Sequence, residues 1–335
     1  VDNGAADRRP VDEHRPLIIA HRGASGYLPE HTLEAKALAY GQGADYLEQD
    51  VVATRDHQLL VLHDIYLERV TDVAALFPDR RRADGHYYVV DFELEAIRQL
   101  TVTERRRPDG RAALYPQRFP AETGRFRVVT LAEEIEFIQG LNRSTGRQVG
   151  LYPEIKEPQW HAEHGIDLGR LMLEQLASFG YAEEDDPVFV QCFDARELRR
   201  IREGLGSRLK LVQLVGRSRL ERRGTLRATR EYAQVLAPPY SRLVSARSRN
   251  AEPRPSVLAV SARQAGLLLH PYTFRREKLP PYAASLEDLL EVFLRDLRMD
   301  GVFCDFPDVA ARVRDSCGPL PVASEAEGRR SPPTA

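Results

Sequence analysis

Leu17-Ile-Ile-Ala-His21 is a short apolar run that ends on an ionisable residue. Seven more runs follow along the chain: Tyr46–Val52, Val149–Ile155, Val188–Cys192, Leu209–Val215, Gln234–Ala237, Gly266–His270 and Gly301–Cys304. Short runs of this kind, bounded by polar or turn residues, read as parallel strands buried on both faces. The segments between them carry helix signals. Thr130 and Glu133 form a capping box ahead of Leu131, Ile135 and Ile138, which share one face. Asp194 caps a helix bearing Leu198, Ile201 and Leu205, and Ser285 with Asp288 starts another with Leu286, Leu289, Leu290, Phe293 and Leu297 as its stripe. Eight strand–helix alternations predict an α/β protein, a (β/α)8 TIM barrel. The competing doubly wound sheet has no GxGxxG or P-loop pattern to support it.

Two places break the alternation. Only Ala53–Gln58 separates Tyr46–Val52 from the run Leu59–His63, too short a link for parallel strands, so a hairpin is predicted. Folding it back brings His63 near Glu48 and Asp50. Residues 65–128 then carry Asp79-Arg-Arg-Arg82 and Arg105-Arg-Arg-Pro-Asp-Gly110 with no strong repeat. They read as a small insertion subdomain over the barrel mouth, after the second strand and its hairpin. Without them, 17–315 is close to the roughly 250 residues of one barrel. Residues 1–16 and 316–335 read as polar, flexible tails.

Composition narrows the function. The 335 residues are 42% apolar, enough for a large core, and 48 basic residues meet 50 acidic ones for a net charge of −2. That balance excludes a broadly basic nucleic-acid binder. No stretch approaches the roughly 18 apolar residues of a membrane helix. The chain begins at Val1, so removal of a secretory signal is expected. Cys192, Cys304 and Cys317 show no zinc spacing, and Cys192 and Cys304 lie in apolar runs as buried thiols. Only Lys36, Lys156, Lys210 and Lys278 are lysines; the other 44 basic residues are arginine.

Active residues of such barrels sit at the C-terminal ends of strands. The strand ends here present His21-Arg22, Glu48 with Asp50, His63-Asp64, Glu154 with Lys156, and Asp305. Glu48 and Asp50, two apart on a strand, share one face. Two such carboxylates are costly unless neutralised, and Glu154 adds a third. A set without cysteine suits a hard divalent cation, Ca²⁺ or Mg²⁺; salt bridges to arginine are the other reading. His21 and His63 fit a general acid and base. Arg22 can clamp a phosphate, and Lys156 fits either a phosphoryl contact or a carboxylate partner. Together these parts describe phosphodiester cleavage. Ser25 lacks a nucleophile-elbow pattern and reads as a turn residue. Gln191, Gln213, Tyr272 and Asp305 are secondary candidates for lining the pocket; Tyr87, Tyr88 and Phe126 fit packing within the insertion better than a cover over the mouth.

Ile19-Ala-His-Arg-Gly-Ala-Ser-Gly-Tyr-Leu-Pro-Glu-His-Thr-Leu33 resembles the opening motif of glycerophosphodiester phosphodiesterases. So do Tyr46-Leu-Glu-Gln-Asp-Val51, Val61-Leu-His-Asp64, Tyr152-Pro-Glu-Ile-Lys156 and Cys304-Asp-Phe-Pro307. The resemblance runs from about Leu17 to Arg314 and is closest to the bacterial periplasmic branch. It implies a divalent metal, usually Ca²⁺, on Glu48, Asp50 and Glu154, with His21 and His63 as the acid–base pair and Arg22 and Lys156 at the phosphate. It implies hydrolysis of small-molecule glycerophosphodiesters such as glycerophosphocholine to sn-glycerol 3-phosphate and an alcohol. Attack by a glycerol hydroxyl through a cyclic phosphate and direct attack by water both stay open. A periplasmic location is expected, with the cytoplasm as the alternative, and a homodimer is the one protein partner admitted. His31 stands where many members carry Asn and is expected to be a replaceable helix-start residue. Gly216–Tyr232 is short and Arg-rich, and Ala237-Pro-Pro239 replaces a more usual Gly-Pro-Asp, which bears on head-group preference. The other readings are a related barrel phospholipase, of phosphoinositide-lyase or sphingomyelinase-D type, and a non-catalytic surface-interaction protein. No exposed apolar stretch or basic amphipathic helix supports the first, and none of the motif residues has decayed as the second requires.

Overall fold

A computed structural model describes residues 15–121, 123–216, 223–245 and 253–318. Most of both expected tails and residues 217–222 of the Arg-rich segment lie outside the described residues. Nine strands form the main sheet: β1 (Leu17–Ala20), β2 (Tyr46–Ala53), β3 (Leu59–Val61), β6 (Gly150–Ile155), β7 (Phe189–Cys192), β8 (Lys210–Leu214), β9 (Val235–Ala237), β10 (Leu268–Leu269) and β11 (Gly301–Cys304). The short β4 (Thr101–Val102) and β5 (Phe126–Arg127) pair with each other apart from it. Eight parallel strands run in the order β10-β9-β8-β7-β6-β2-β1-β11. The ring closes just beyond β10: Phe303 N–H donates to Pro271 O at 3.0 Å, and Phe274 N–H to Phe303 O at 2.8 Å. Of the expected strand Gly266–His270, only Leu268 and Leu269 form the named strand, although His270 N–H still donates to Leu236 O at 3.2 Å.

The barrel is filled, as close packing of inward-facing side chains requires. Ile19, Tyr152, Phe189, Val212, Val235 and Phe303 form the inner cluster. The outward strand faces are covered by helices. Leu131–Thr145 begins with the expected box, the Thr130 side chain accepting from Glu133 N–H and Glu133 accepting from Thr130 N–H. The Ser285–Asp288 box likewise opens Leu286–Glu291. Asp194 accepts from Arg196 N–H, but the helix it starts runs only to Arg199 before a π turn over Arg200–Gly204.

β3 returns antiparallel on β2, with Val51 opposite Val61 and Ala53 opposite Leu59. Leu62 N–H donates to Asp50 O at 2.8 Å, which carries His63 to the strand end that bears Asp50. The chain from Asp64 to Val128 has a core of its own, including Leu67, Val89, Phe92, Ile97 and Phe126, packed on Leu60 and Val52 of the hairpin. Tyr87 and Phe126 are buried there, while Tyr88 stacks on Trp160, outside the insertion, at 5.5 Å between centroids.

β2 is also pinned from behind. Lys36 is fully buried; its Nζ donates to Glu134 Oε1 at 2.7 Å and to Glu48 O. Gln49 Nε2 donates to the same Glu134 oxygen at 2.7 Å, and Gln49 Oε1 accepts from Tyr152 N–H at 3.0 Å. Removing one member of a buried pair leaves the other charge uncompensated. Lys36→Met should therefore lower the unfolding free energy by about 3–5 kcal/mol, read from urea denaturation. A change within experimental error would show that Glu134 finds another partner.

Candidate active site

Each histidine sits at a strand end with an aspartate behind it. His21 follows β1 and Asp305 follows β11, its neighbour in the sheet; His21 Nδ1 lies 2.7 Å from Asp305 Oδ1. His63 Nδ1 lies 2.5 Å from Asp64 Oδ1. Burial would raise the Asp305 carboxyl, yet Arg275, His21 and Arg118 hold it far below the usual carboxylate range. Burial, with Arg22 alongside, lowers His21 to about 4. His63 is lowered for the same reasons, with Lys156 adding to Arg22. Each ring is then a neutral imidazole at neutral pH. With the aspartates ionised, Nδ1 carries the proton and donates, which leaves Nε2 as the basic nitrogen.

The carboxylates come next. Asp50 and Glu154 are direct cross-strand partners of β2 and β6, and Glu48 is two residues behind on the same face. All three are buried. Burial and the charge of Asp50 push Glu48 well above the ordinary range. Glu154 rises to about 8, burial and Asp50 outweighing Lys156. Asp50 goes the other way: burial would raise it, but Lys156, His63, His31 and Arg22 hold it down. Three buried carboxylates crowded like this cannot all ionise without a further cation. Asp50 Oδ1 is buried with no hydrogen-bond partner, as a carboxylate oxygen kept for an ion would be. Ligand atoms of His31, Glu48 and Asp50 all fall within 4.8 Å of one another. The residues thus fit a divalent cation.

His31 is not the helix-start residue expected from the sequence. It does not cap the helix Leu33–Gly41; Thr32 does, its side chain accepting from Ala35 N–H. His31 instead turns in at φ +61° and places Nε2 2.8 Å from Asp50 Oδ2. Asn tolerates that left-handed backbone, so a helix-start reading follows naturally from the sequence but overlooks what the imidazole touches.

The basic groups face the same space. Arg22 N–H donates to Glu48 Oε2 at 2.7 Å, its Nη1 donates to Glu30, and its Nε is 3.3 Å from Asp50. Lys156 Nζ is 2.7 Å from Glu154 and 3.5 Å from Asp50, the carboxylate partnership that the sequence left open. A cavity of about 120 Å³ is walled by all seven expected residues, with Gln191, Phe193 and Tyr272 at its sides. Gln213 is not among them; its amide instead donates to Cys192 O, Phe193 O and Leu214 O. Larger clefts lie on the outer wall and at the opposite barrel end, where arginines and carboxylates pair among themselves.

Asp305 directly follows β11 and Asp64 lies three residues past β3, yet the sequence does not mark either as a histidine's partner. Glu30, Arg105, Arg118 and Arg275 also join the site, and nothing local distinguishes them from the other charged residues. Ser25 is a turn residue, its hydroxyl donating to His21 O at 2.8 Å. The three cysteines are free, and Cys192 and Cys304 are buried.

A model of the glycerophosphoryl diester phosphodiesterase family matches residues 21–309. The chain is 42% identical over 321 residues to a glycerophosphodiester phosphodiesterase of Haemophilus influenzae, covering 87% of this chain and 88% of that one. It is 36% identical over 323 residues to one of Treponema pallidum, covering 88% and 91%. Among solved structures, an Oleispira antarctica phosphodiesterase in complex with the product sn-glycerol-3-phosphate matches with a TM-score of 0.61 at 23% identity, over 90% of this chain and 97% of that one. A Thermotoga maritima glycerophosphodiester phosphodiesterase matches at 0.56 and 18%, over 90% and 98%. At these identities the two structures speak for the barrel fold.

Proposed function

This chain belongs to the glycerophosphoryl diester phosphodiesterase family, and we propose that its barrel-mouth site hydrolyses glycerophosphodiesters to sn-glycerol 3-phosphate and an alcohol. The observation that carries the reading is the meeting of two aspartate-backed histidines, three carboxylates and two cationic side chains around one cavity. Arg22 and Lys156 hold the phosphodiester and offset the charge that builds on its oxygens. One histidine takes the proton of the entering oxygen, and the other delivers a proton to the departing alkoxide. The neutral state of both rings suits the first role; the second needs a proton picked up before or during bond breaking. A divalent cation held by Glu48, Asp50 and Glu154, with His31 beside Asp50, would supply Lewis-acid polarisation of the phosphoryl group. The oxygen-rich donor set favours Ca²⁺, with Mg²⁺ as the second choice.

Incubation with glycerophosphocholine and Ca²⁺ should release sn-glycerol 3-phosphate and choline. No release over a panel of head groups and divalent ions would overturn the reading, and equal turnover of phospholipid vesicles would favour the lipase reading. No helix among the described residues is long and apolar enough to cross a membrane. The likeness to the periplasmic branch supports a periplasmic location, testable by cell fractionation.

His31 tunes that site by holding Asp50 Oδ2 so that Oδ1 stays available. His31→Ala should weaken Ca²⁺ binding about 10- to 100-fold, measured by titration calorimetry on folded protein. An unchanged affinity would confine His31 to shaping the turn.

A further inference from the structure

The aspartate behind each histidine has a second oxygen, and both of those oxygens are held from outside the barrel. Arg118 Nη2 donates to Asp305 Oδ2 at 2.6 Å, and Arg105 Nη1 donates to Asp64 Oδ2 at 2.5 Å. Both arginines belong to the insertion, and their side chains are only 5% and 6% exposed. Each also grips the loop that follows His21. Arg118 Nη1 donates to Ser25 O at 3.0 Å, and its other nitrogens meet Glu277 at 2.7 and 3.0 Å. Arg105 clamps Glu30 with two nitrogens at 2.6 and 2.9 Å, and Glu30 accepts in turn from Arg22.

We propose that Arg105 and Arg118 are positioning residues, and that the insertion is thereby part of the catalytic apparatus. The inference rests on the assignment of His21 and His63 as the acid–base pair. A carboxylate with one oxygen on a histidine can still swing about its own bond. A charge-assisted bond of 2.6 Å to the second oxygen fixes its plane, so that the first oxygen keeps facing Nδ1. That holds the proton on Nδ1 and leaves Nε2 as the reacting nitrogen. Arg275 also approaches Asp305 Oδ2, at 3.4 Å, and Arg69 approaches Asp64, at 3.9 Å. Both are longer contacts, so they add charge but bind the orientation less. A brace whose only task was to anchor the insertion could use any carboxylate on the barrel rim. These two arginines fall on the acids of both histidine pairs.

The test is a double-mutant cycle between Arg118 and Asp305, run on the full chain with glycerophosphocholine and Ca²⁺. Arg118→Ala and Asp305→Asn should each lower kcat about 10- to 100-fold with little change in KM. The double variant should be no slower than the slower single, because both act through the same imidazole. Added guanidinium should restore part of the turnover of Arg118→Ala and none of that of Asp305→Asn. Wild-type kcat in Arg118→Ala, or losses that multiply in the double variant, would overturn the proposal. Should Arg118→Ala fail to fold, Arg118→Gln keeps most of the stem and takes its place with the same expectations. His21→Ala separates the two levels of inference. If it is inactive while the arginine variant is not, only the positioning role fails; if it is active, the histidine assignment fails first.

Discussion

His21→Ala should lower kcat on glycerophosphocholine by about 10²- to 10⁴-fold, and His63→Ala by a similar factor. Such a loss corresponds to about 3–5 kcal/mol of transition-state stabilisation. The two rings are held at the cavity wall by aspartates at 2.7 and 2.5 Å, so each presents one nitrogen at a set orientation. Water can replace an imidazole as a proton carrier only with a poorer match of pKa and no fixed position. Neither imidazole belongs to a hydrophobic core cluster: His21 is buried on Asp305, which keeps Arg118 as a partner when the ring is removed, and the His63 side chain is 31% exposed. The unfolding midpoint should stay close to wild type, which separates lost chemistry from lost structure. A diester with an activated leaving group, such as glycerophospho-p-nitrophenol, should largely rescue the variant that lacks the general acid and leave the other impaired. Near-normal turnover by either alanine variant would remove that histidine from the mechanism.

Stripping divalent ions with EDTA should reduce turnover by about 10³-fold, restored by Ca²⁺, since Lewis-acid stabilisation of this kind amounts to several kcal/mol. Asp50→Asn should cause a comparable loss that added Ca²⁺ does not repair. The reasoning starts from charge. Asp50 stays ionised because Lys156, His63, His31 and Arg22 surround it, while Glu48 and Glu154 are driven toward protonation beside it. A divalent ion removes that conflict, and Asp50 Oδ1, which accepts no hydrogen bond and has only the Lys156 ammonium at 3.5 Å, is one oxygen it can use. Binding to the folded state alone stabilises it by mass action. Ca²⁺ should therefore raise the unfolding temperature of wild type but not of Asp50→Asn, a readout independent of turnover. Full activity in protein shown to be metal-free by elemental analysis would sink the metal site.

Much of the site was legible because its members mark strand ends. His21, Glu48, Asp50, His63, Glu154 and Lys156 all lie within or just after short apolar runs, and barrel strands point such ends at one mouth. The hairpin was legible from its link length alone, and it brought His63 to Asp50 as expected. Lys36 shows the limit. It is one of only four lysines and sits in no motif, yet it lies fully buried behind β2 on Glu134, 98 positions away in sequence. Its helical neighbourhood carries no sign of that partner.

Sequence by itself determined the alternation of strands and helices, the hairpin, and the strand-end residues from which the site is built. Those features are local: periodicity, cap and link length are written over a few neighbouring positions. Tertiary structure alone decided that His31 turns onto Asp50, that Asp305 backs His21 across 284 positions, and that Arg105 and Arg118 bond the acids of the histidine pairs, with Arg69 and Arg275 farther off. Each of these depends on where distant stretches of backbone meet. A buried charge is set by the partner waiting there, and short-range pattern does not encode which partner that is.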